Sequence, residues 1–162
     1  MPGTKIISLA SLKRKIRRLR QNGKRIVFTN GCFDILHYGH VKYLQDARSY
    51  GDYLVVAVNS DSSIKKIKVK NRPVIRQSDR LKTVAALASV DFVVLFNADS
   101  PLRLIKALKP DILIKGADWN KQKIIGADFV ESYGGKVLTV NLVKGRSTSA
   151  IIEKIVHDFS RE

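Results

Sequence analysis

Apolar residues recur along this chain with two spacings, one typical of helices and one of buried strands. Between residues 8 and 22, Leu9, Leu12, Ile16 and Leu19 are three, four and three positions apart, which predicts an amphipathic helix. Short, nearly continuous apolar runs predict five strands, at residues 25–29, 53–58, 92–96, 112–114 and 136–140. Helical patterns separate and follow these strands, at residues 40–50, at 78–88, from Pro101 after a Ser100 cap, at 126–133 and from Ser147 or Thr148 onward.

Strands alternating with helices predict an α/β fold, a Rossmann-like, doubly wound, parallel five-stranded sheet with helices on both faces. We expect one domain over residues 1–162, in which a basic amphipathic helix within residues 1–24 packs on a catalytic core of residues 25–162. The segments 30–40, 59–77, 115–125 and 142–148 each follow a strand and are predicted as loops or turns. They should therefore share the carboxyl edge of the sheet, where such folds bind ligands.

Composition narrows the functional classes. The 162 residues suit one domain, no apolar run approaches the roughly 20 residues of a membrane span, and the N-terminus lacks the apolar core of a signal peptide. One cysteine, Cys32, excludes an internal disulfide and fits a reducing compartment. These features predict a cytoplasmic protein without a membrane partner.

The charge points to an anionic partner, either nucleic acid or a phosphorylated small molecule. The chain has 30 Lys and Arg against 14 Asp and Glu, a formal net charge of +16. The basic residues of the first helix form an ordinary solvated face, with RNA or membrane contact as the alternative. Because the aromatic residues are scattered, with no basic-aromatic stacking pattern, nucleic acid is not expected as the primary partner.

The stretch from Thr29 to His40 carries the strongest functional signal. It joins the first strand to a helix through a glycine-containing turn, which brings backbone N–H groups and a positive helix-dipole end together and favours a phosphate. Two of the three histidines, His37 and His40, lie at this turn. As hydrogen-bond donors they would stabilise negative charge on a phosphoryl oxygen, and Gly39 would permit the close approach of the anion.

Other phosphate and metal motifs fit this stretch less well. It lacks the Gly-Lys-Ser/Thr of a P-loop and the three-glycine dinucleotide fingerprint. Cys32, Asp34, His37 and His40 could be taken for metal ligands, but the histidines straddle a glycine at a helix start and no second ligand pair exists. We therefore predict no resident metal, and we expect Asp34 to stabilise its own turn.

The run Gly31-Cys32-Phe33-Asp34-x-x-His37-x-Gly39-His40 resembles the signature of the nucleotidylyltransferase superfamily, specifically its cytidylyltransferase-like branch. The resemblance implies that a phosphorylated substrate attacks the α-phosphate of a nucleotide and that pyrophosphate leaves. It makes His37 and His40 catalytic. It also implies nucleotide contacts at this turn from Asn30, Gly31, Cys32, Phe33 and Gly39.

The segment Lys144-Gly145-Arg146-Ser147-Thr148-Ser149 resembles the family's second motif, Gly-x-Ser-Thr-Thr, with Ser149 in place of the second Thr. An ordinary N-cap is the simpler interpretation of Ser147 or Thr148. The resemblance instead implies that Arg146, Ser147, Thr148 and Ser149 hold the β- and γ-phosphates. Leu142 stands where some relatives carry Arg, so the cationic role would pass to Lys144 or Arg146.

Two further segments extend the resemblance. The family uses a lysine from the loop after the second strand, and the spacing leaves Lys65, Lys66 and Lys68 open, of which we predict Lys65 and Lys68 as catalytic. Arg80 matches a family arginine that faces the acceptor substrate. The segment 115–119 resembles Lys-Gly-x-Asp-Trp/Tyr, which implies a nucleotide site with Lys115, Gly116 and Asp118, and acceptor contacts from Asp118 and Trp119.

Within this family, the chain most resembles the adenylyltransferases of bacterial ADP-heptose synthesis, through Thr29–Asp34, residues 115–119 and the preceding Leu-Lys-Pro-Asp at 108–111. The resemblance implies that ATP, with Mg²⁺, and D-glycero-D-manno-heptose 1-phosphate give ADP-heptose and pyrophosphate. It also implies a homodimer or higher homo-oligomer. We expect the heptose kinase to be a separate protein. The nearest rival is a cytidylyltransferase acting on glycerol 3-phosphate.

Overall fold

A five-stranded parallel sheet forms the centre of the protein in the computed structural model, which describes residues 5–67 and 71–159. The strands are β1 (Ile26–Gly31), β2 (Tyr53–Asn59), β3 (Phe92–Phe96), β4 (Ile112–Gly116) and β5 (Lys136–Val140). Their order in the sheet is β3-β2-β1-β4-β5, and every neighbouring pair is parallel. The predicted fold class is confirmed.

In the part of the chain that the structure describes, seven α-helices connect and cover the strands. They are α1 (Leu9–Gln21), α2 (Tyr38–Ser49), α3 (Asp61–Ile67), α4 (Gln77–Ala86), α5 (Leu102–Leu108), α6 (Ala127–Ser132) and α7 (Thr148–Phe159), with a short 3-10 helix at Lys121–Lys123. Among the residues described, no helix has both the length and the apolar character needed to cross a membrane.

Alternating strand residues face two separate hydrophobic cores, because successive side chains of a strand point to opposite faces. One core joins Phe28 and Val55 to side chains of α1, α5 and α6. The other joins Val27 and Val56 to side chains of α2 and α4. The near-continuous apolar runs of the sequence therefore reflect strands that are covered on both faces.

The order of the strands reverses beside β1. The chain proceeds from β1 to β2 and β3 on one side and then returns to β4 and β5 on the other. Ligands of doubly wound sheets bind outside the carboxyl ends of the strands at such a reversal. The segment that leaves β1 there is residues 32–37, in the turn that the sequence marks as a phosphate site.

The structure differs from the prediction after β2, where the loop expected at 59–77 contains α3. Ser60 caps this helix, since its Oγ accepts a hydrogen bond from the Ser63 N–H at 3.1 Å. Of the two apolar side chains in α3, Ile64 is fully buried but Ile67 is exposed. The helix is thus too short and too polar to show helical periodicity in the sequence.

Candidate active site

A cavity of about 790 Å³ lies at the carboxyl edge of the sheet. It is lined by the ends of β1, β2 and β4 and by the segments that follow them, together with the turn that leads into α7. Fifteen of the predicted site residues line it: Asn30, Gly31, Cys32, Phe33, His37, Gly39, His40, Lys115, Gly116, Asp118, Trp119, Arg146, Ser147, Thr148 and Ser149. Segments more than 100 positions apart in the sequence therefore meet around one space.

The turn after β1 is held in an unusual backbone conformation. Phe33 has a φ of 46°, in the left-handed region that non-glycine residues seldom adopt. Its ring is buried and meets His40 edge to face, with centroids 5.3 Å apart. This packing ties the conformation of the turn to the position of the histidine.

Asp34 anchors this turn to a segment forty residues later. Its buried carboxylate accepts hydrogen bonds from the N–H groups of Val74 and Ile75, at 2.9 and 2.8 Å, and from Nε of Arg72 at 2.6 Å. Burial opposes ionisation, but these three donors together hold the pKa of Asp34 below its ordinary value. The expectation of a local turn-stabilising role was wrong, because the partners of the carboxylate are distant in sequence.

His37 and His40 stack at the start of α2, with ring centroids 3.9 Å apart and an interplanar angle of 24°. Burial lowers the pKa of His37. Burial, and then the neighbouring His37, lower the pKa of His40 to about 4. The Nδ1 atoms of both rings are buried, and no described group meets strict hydrogen-bond geometry with them, although the backbone of Ile35 lies close enough to His40 to raise its pKa slightly against the effect of burial. A neutral imidazole pair with unmatched nitrogen atoms is suited to contact an anionic ligand.

Gly39 sits between the two halves of the site. A Cβ atom at this position would lie 2.9 Å from the His37 ring and 3.0 Å from the carbonyl oxygen of Arg146. The start of α2 and the turn before α7 are therefore in direct contact, and a side chain at Gly39 would force them apart. The absence of a side chain at Gly39 therefore lets the His37 ring and the Arg146 carbonyl lie close to it, in addition to any approach of an anion.

The turn before α7 places small polar residues at a helix start. Ser147 Oγ accepts a hydrogen bond from the Ala150 N–H at 3.1 Å, so it also acts as an ordinary cap. Thr148 is buried and opens α7. Helix-start N–H groups and the dipole of this 12-residue helix favour a phosphate beside them.

Lys115 extends from the end of β4 toward β1. Its Nζ donates to the side-chain Oδ1 of Asn30 at 2.6 Å and lies 5.5 Å from the centroid of the Trp119 ring. Burial lowers the pKa of Lys115 to about 8, although Cys32 and Asp118 oppose that shift. Trp119 remains 47% exposed at the rim of the cavity, where a flat ring can contact a ligand.

Two predicted residues that the structure describes, Lys65 and Arg80, do not line the cavity. Lys65 is exposed on α3 outside it, and Lys68 lies outside the described residues. Arg80 is fully buried: its Nε donates to the Ile75 carbonyl, its Nη1 to the Cys32 carbonyl and its Nη2 to Asp61. The geometry therefore gives Arg80 a structural role behind the turn, in place of the predicted contact with the acceptor.

The sequence analysis missed residues on the β2 and β3 side of the cavity. Asn59, Arg72 and Asp99 all line it. Asn59 is a buried amide at the end of β2. A polar residue directly after a run of apolar strand residues could have marked it as a site residue in the sequence. Arg72 and Asp99 lie in irregular segments, where periodicity carries no information. Among the residues described, no group of three His, Cys, Asp or Glu side chains is placed to hold a metal ion.

The sheet, the reversal of strand order and the two adjacent helix starts are typical of α/β proteins that bind phosphates at their strand ends. Residues 28–159 match the model of the cytidylyltransferase-like family, and the chain belongs to that family. The sequence prediction of a nucleotidyltransferase family is thereby confirmed.

Relatives and solved structures agree with this assignment. The chain is 51% identical over 158 residues to the bifunctional protein HldE of Geobacter metallireducens and 56% identical over 151 residues to that of Campylobacter fetus. These matches cover 98% and 93% of the chain but only 32% and 31% of the relatives, so the chain spans about a third of their length.

Among solved structures, the lipopolysaccharide core biosynthesis protein of Thermoplasma volcanium is 30% identical with a TM-score of 0.61, and the match covers 75% of this chain and 98% of that one. Pantothenate synthetase from Thermus thermophilus, at 17% identity and a TM-score of 0.60, covers 86% of this chain and 62% of that one. It shares the fold alone.

Proposed function

We propose that this protein is an adenylyltransferase that joins ATP and D-glycero-D-manno-heptose 1-phosphate to give ADP-heptose and pyrophosphate. The observation that carries a nucleotidyl transfer is the contact across Gly39, which sets the stacked histidines beside the helix start of α7. The choice of sugar is supported by the similarity to the HldE proteins and to a lipopolysaccharide core biosynthesis protein.

In this mechanism the acceptor phosphate oxygen attacks the α-phosphorus of ATP. The new O–P bond forms as the bond from the α-phosphorus to the bridging oxygen of the β-phosphate breaks, and that oxygen leaves with pyrophosphate. No covalent enzyme intermediate is needed. Catalysis then consists of positioning and of stabilising the charge that builds up on the phosphoryl oxygens.

Each half of the site has a part in this reaction. His37 and His40 face the α-phosphate and donate hydrogen bonds that strengthen in the transition state. Ser147, Thr148 and the N–H groups of α7 hold the leaving β- and γ-phosphates. Lys115 adds positive charge beside the turn after β1, in a cavity that burial makes less polar than water.

The remaining components of the proposal concern substrates and partners. ATP would enter as its Mg²⁺ complex, because the triphosphate oxygens supply most of the ligands that Mg²⁺ takes. A sugar kinase would supply the 1-phosphate. We also propose that the protein acts in the cytoplasm as a homodimer or higher homo-oligomer.

Pyrophosphate release over a grid of nucleotides and phosphorylated acceptors tests the proposal. We expect turnover with ATP and D-glycero-D-manno-heptose 1-phosphate, and little with CTP or with glycerol 3-phosphate. Turnover only with CTP would overturn the choice of nucleotide. Turnover with ATP on glycerol 3-phosphate alone would overturn the choice of acceptor while leaving the chemistry intact.

A further inference from the structure

Two arginines lie behind or beside the turn after β1, and their guanidinium groups are used differently. Arg80 donates from all three of its nitrogen atoms to protein groups and is fully buried. Arg72 instead lines the cavity, with 13% of its side chain exposed. Only the second of these arginines is therefore placed to reach a substrate.

The guanidinium of Arg72 is held in place but retains donors. Its Nε donates to Asp34 at 2.6 Å, which fixes the plane of the group. Its terminal amino groups make no hydrogen bond within residues 5–67 and 71–159. A guanidinium carries five N–H donors in a planar fork that matches the oxygens of a phosphate. Arg72 thus presents oriented donors with no protein acceptor among the residues described.

The segment that carries Arg72 belongs to the β2 and β3 side of the cavity. Asp61, directly after Ser60 at the end of β2, donates its N–H to Gln77 Oε1 at 2.9 Å and pairs with Arg80 at 2.7 Å. Arg72 comes from the segment that follows β2, whereas α7 follows β5, and these two strands lie on opposite sides of β1 in the sheet. Arg72 and the start of α7 are therefore on opposite sides of the turn after β1. In an in-line displacement the attacking and leaving oxygens occupy opposite sides of the α-phosphorus. If pyrophosphate leaves toward α7, the acceptor must approach from the side of Arg72.

Other side chains on this side suit a polyhydroxylated acceptor. Asn59 is buried, and its Nδ2 donates a hydrogen bond to Ser63 Oγ at 2.9 Å, which leaves its Oδ1 as an acceptor. Asp99 is an exposed carboxylate that forms an ion pair with Lys66 at 3.3 Å. Amide and carboxylate oxygens accept hydrogen bonds from sugar hydroxyls. Lys66 is paired with Asp99, and all three nitrogen atoms of Arg80 donate to protein groups. Among the cations that the structure describes on this side, Arg72 is therefore the one best placed for the acceptor phosphate.

We propose that Arg72 is the ligand of the acceptor's phosphate group, with Asn59 and Asp99 facing its hydroxyl groups. This inference rests on the proposed function and gives its acceptor a binding subsite. It assigns to Arg72 the role that the sequence resemblance assigns to Arg80. Because Asp34 orients the guanidinium of Arg72, acceptor binding should depend on both the positive charge and the planar geometry of that group.

The test compares Arg72→Gln and Arg72→Lys with wild type, and uses Arg76→Gln as the matched control. Arg76 is an exposed arginine four residues later that does not line the cavity. Pyrophosphate release gives KM for D-glycero-D-manno-heptose 1-phosphate and for ATP separately. Trp119, the single tryptophan, lines the cavity and allows ATP binding to be titrated by fluorescence.

For Arg72→Gln we expect the acceptor KM to rise by about tenfold to a hundredfold, the effect of losing a charge-assisted hydrogen bond, with ATP binding unchanged. Arg72→Lys should recover part of the loss, and Arg76→Gln should match wild type. An unchanged acceptor KM in Arg72→Gln would overturn the proposal. So would equal losses for both substrates, since they would mean that Arg72 only supports the turn. Absence of wild-type turnover with this acceptor would instead refute the proposed function itself.

Discussion

His40 should make the stability of this protein depend on pH, and replacing it should remove that dependence. Burial, followed by the neighbouring His37, lowers the pKa of His40 from 6.5 to about 4 in the folded protein. In the unfolded chain the same ring titrates near 6.5. As the pH falls through this interval, the unfolded state takes up a proton that the folded state does not, so the free energy of unfolding falls.

The size of the effect follows from the two pKa values. The contribution of the neutral His40 ring to the free energy of unfolding is fully present above pH 6.5 and is lost as the pH falls toward 4. One pH unit in this interval is worth about 1.4 kcal/mol, so lowering the pH from about 7.5 to about 5 should cost wild type about 2 kcal/mol through His40.

Urea denaturation of wild type and His40→Asn at these two pH values measures the effect, because asparagine is polar and does not titrate. Carboxylates such as Asp34 titrate in both proteins, so the difference between the two isolates His40. Above neutral pH, where the ring is uncharged in both states, wild type and variant should respond to pH alike. If both lose the same stability on acidification, the burial argument for His40 is wrong.

Three further changes test other parts of the site. His40→Ala should lower kcat for pyrophosphate release by at least about tenfold, because it removes a donor that acts mainly in the transition state; an unchanged kcat would contradict the catalytic assignment. Gly39→Ala should also lower kcat, since the added Cβ must displace the His37 ring or the Arg146 carbonyl, and a crystal structure of the variant would show which moves. Arg80→Met should lower the free energy of unfolding by about 3 kcal/mol in urea, since it removes three buried hydrogen bonds. A wild-type unfolding midpoint would contradict that structural role.

The position of the candidate site was predictable because its signals are local. His37, Gly39 and His40 lie within four residues between a recognisable strand and a recognisable helix. The spacing of apolar residues and the glycine-containing turn are therefore enough to place them. The second half, Ser147–Thr148, is likewise a local helix start. That both belong to one cavity followed from the rule that parallel strands share a carboxyl edge.

The roles of the arginines were not predictable in the same way. Arg72 and Arg80 are eight residues apart in one basic segment, and nothing in their spacing distinguishes them. Their difference arises from partners elsewhere in the chain, Asp34 for one and Cys32 with Asp61 for the other. The helix α3 (Asp61–Ile67), which precedes both arginines, escaped prediction because it buries only one apolar side chain, Ile64.

By itself, the sequence determined the fold class, the order of strands and helices along the chain and the chemistry of the turn after β1. These features depend on the spacing of apolar residues and on short-range backbone geometry, and both can be recognised within a window of about ten residues. Only the tertiary structure decided that Arg72 and not Arg80 lines the cavity, why Gly39 must lack a side chain and which groups donate hydrogen bonds to Asp34. Those outcomes depend on contacts between segments distant in sequence, and burial sets both their geometry and the protonation of His40.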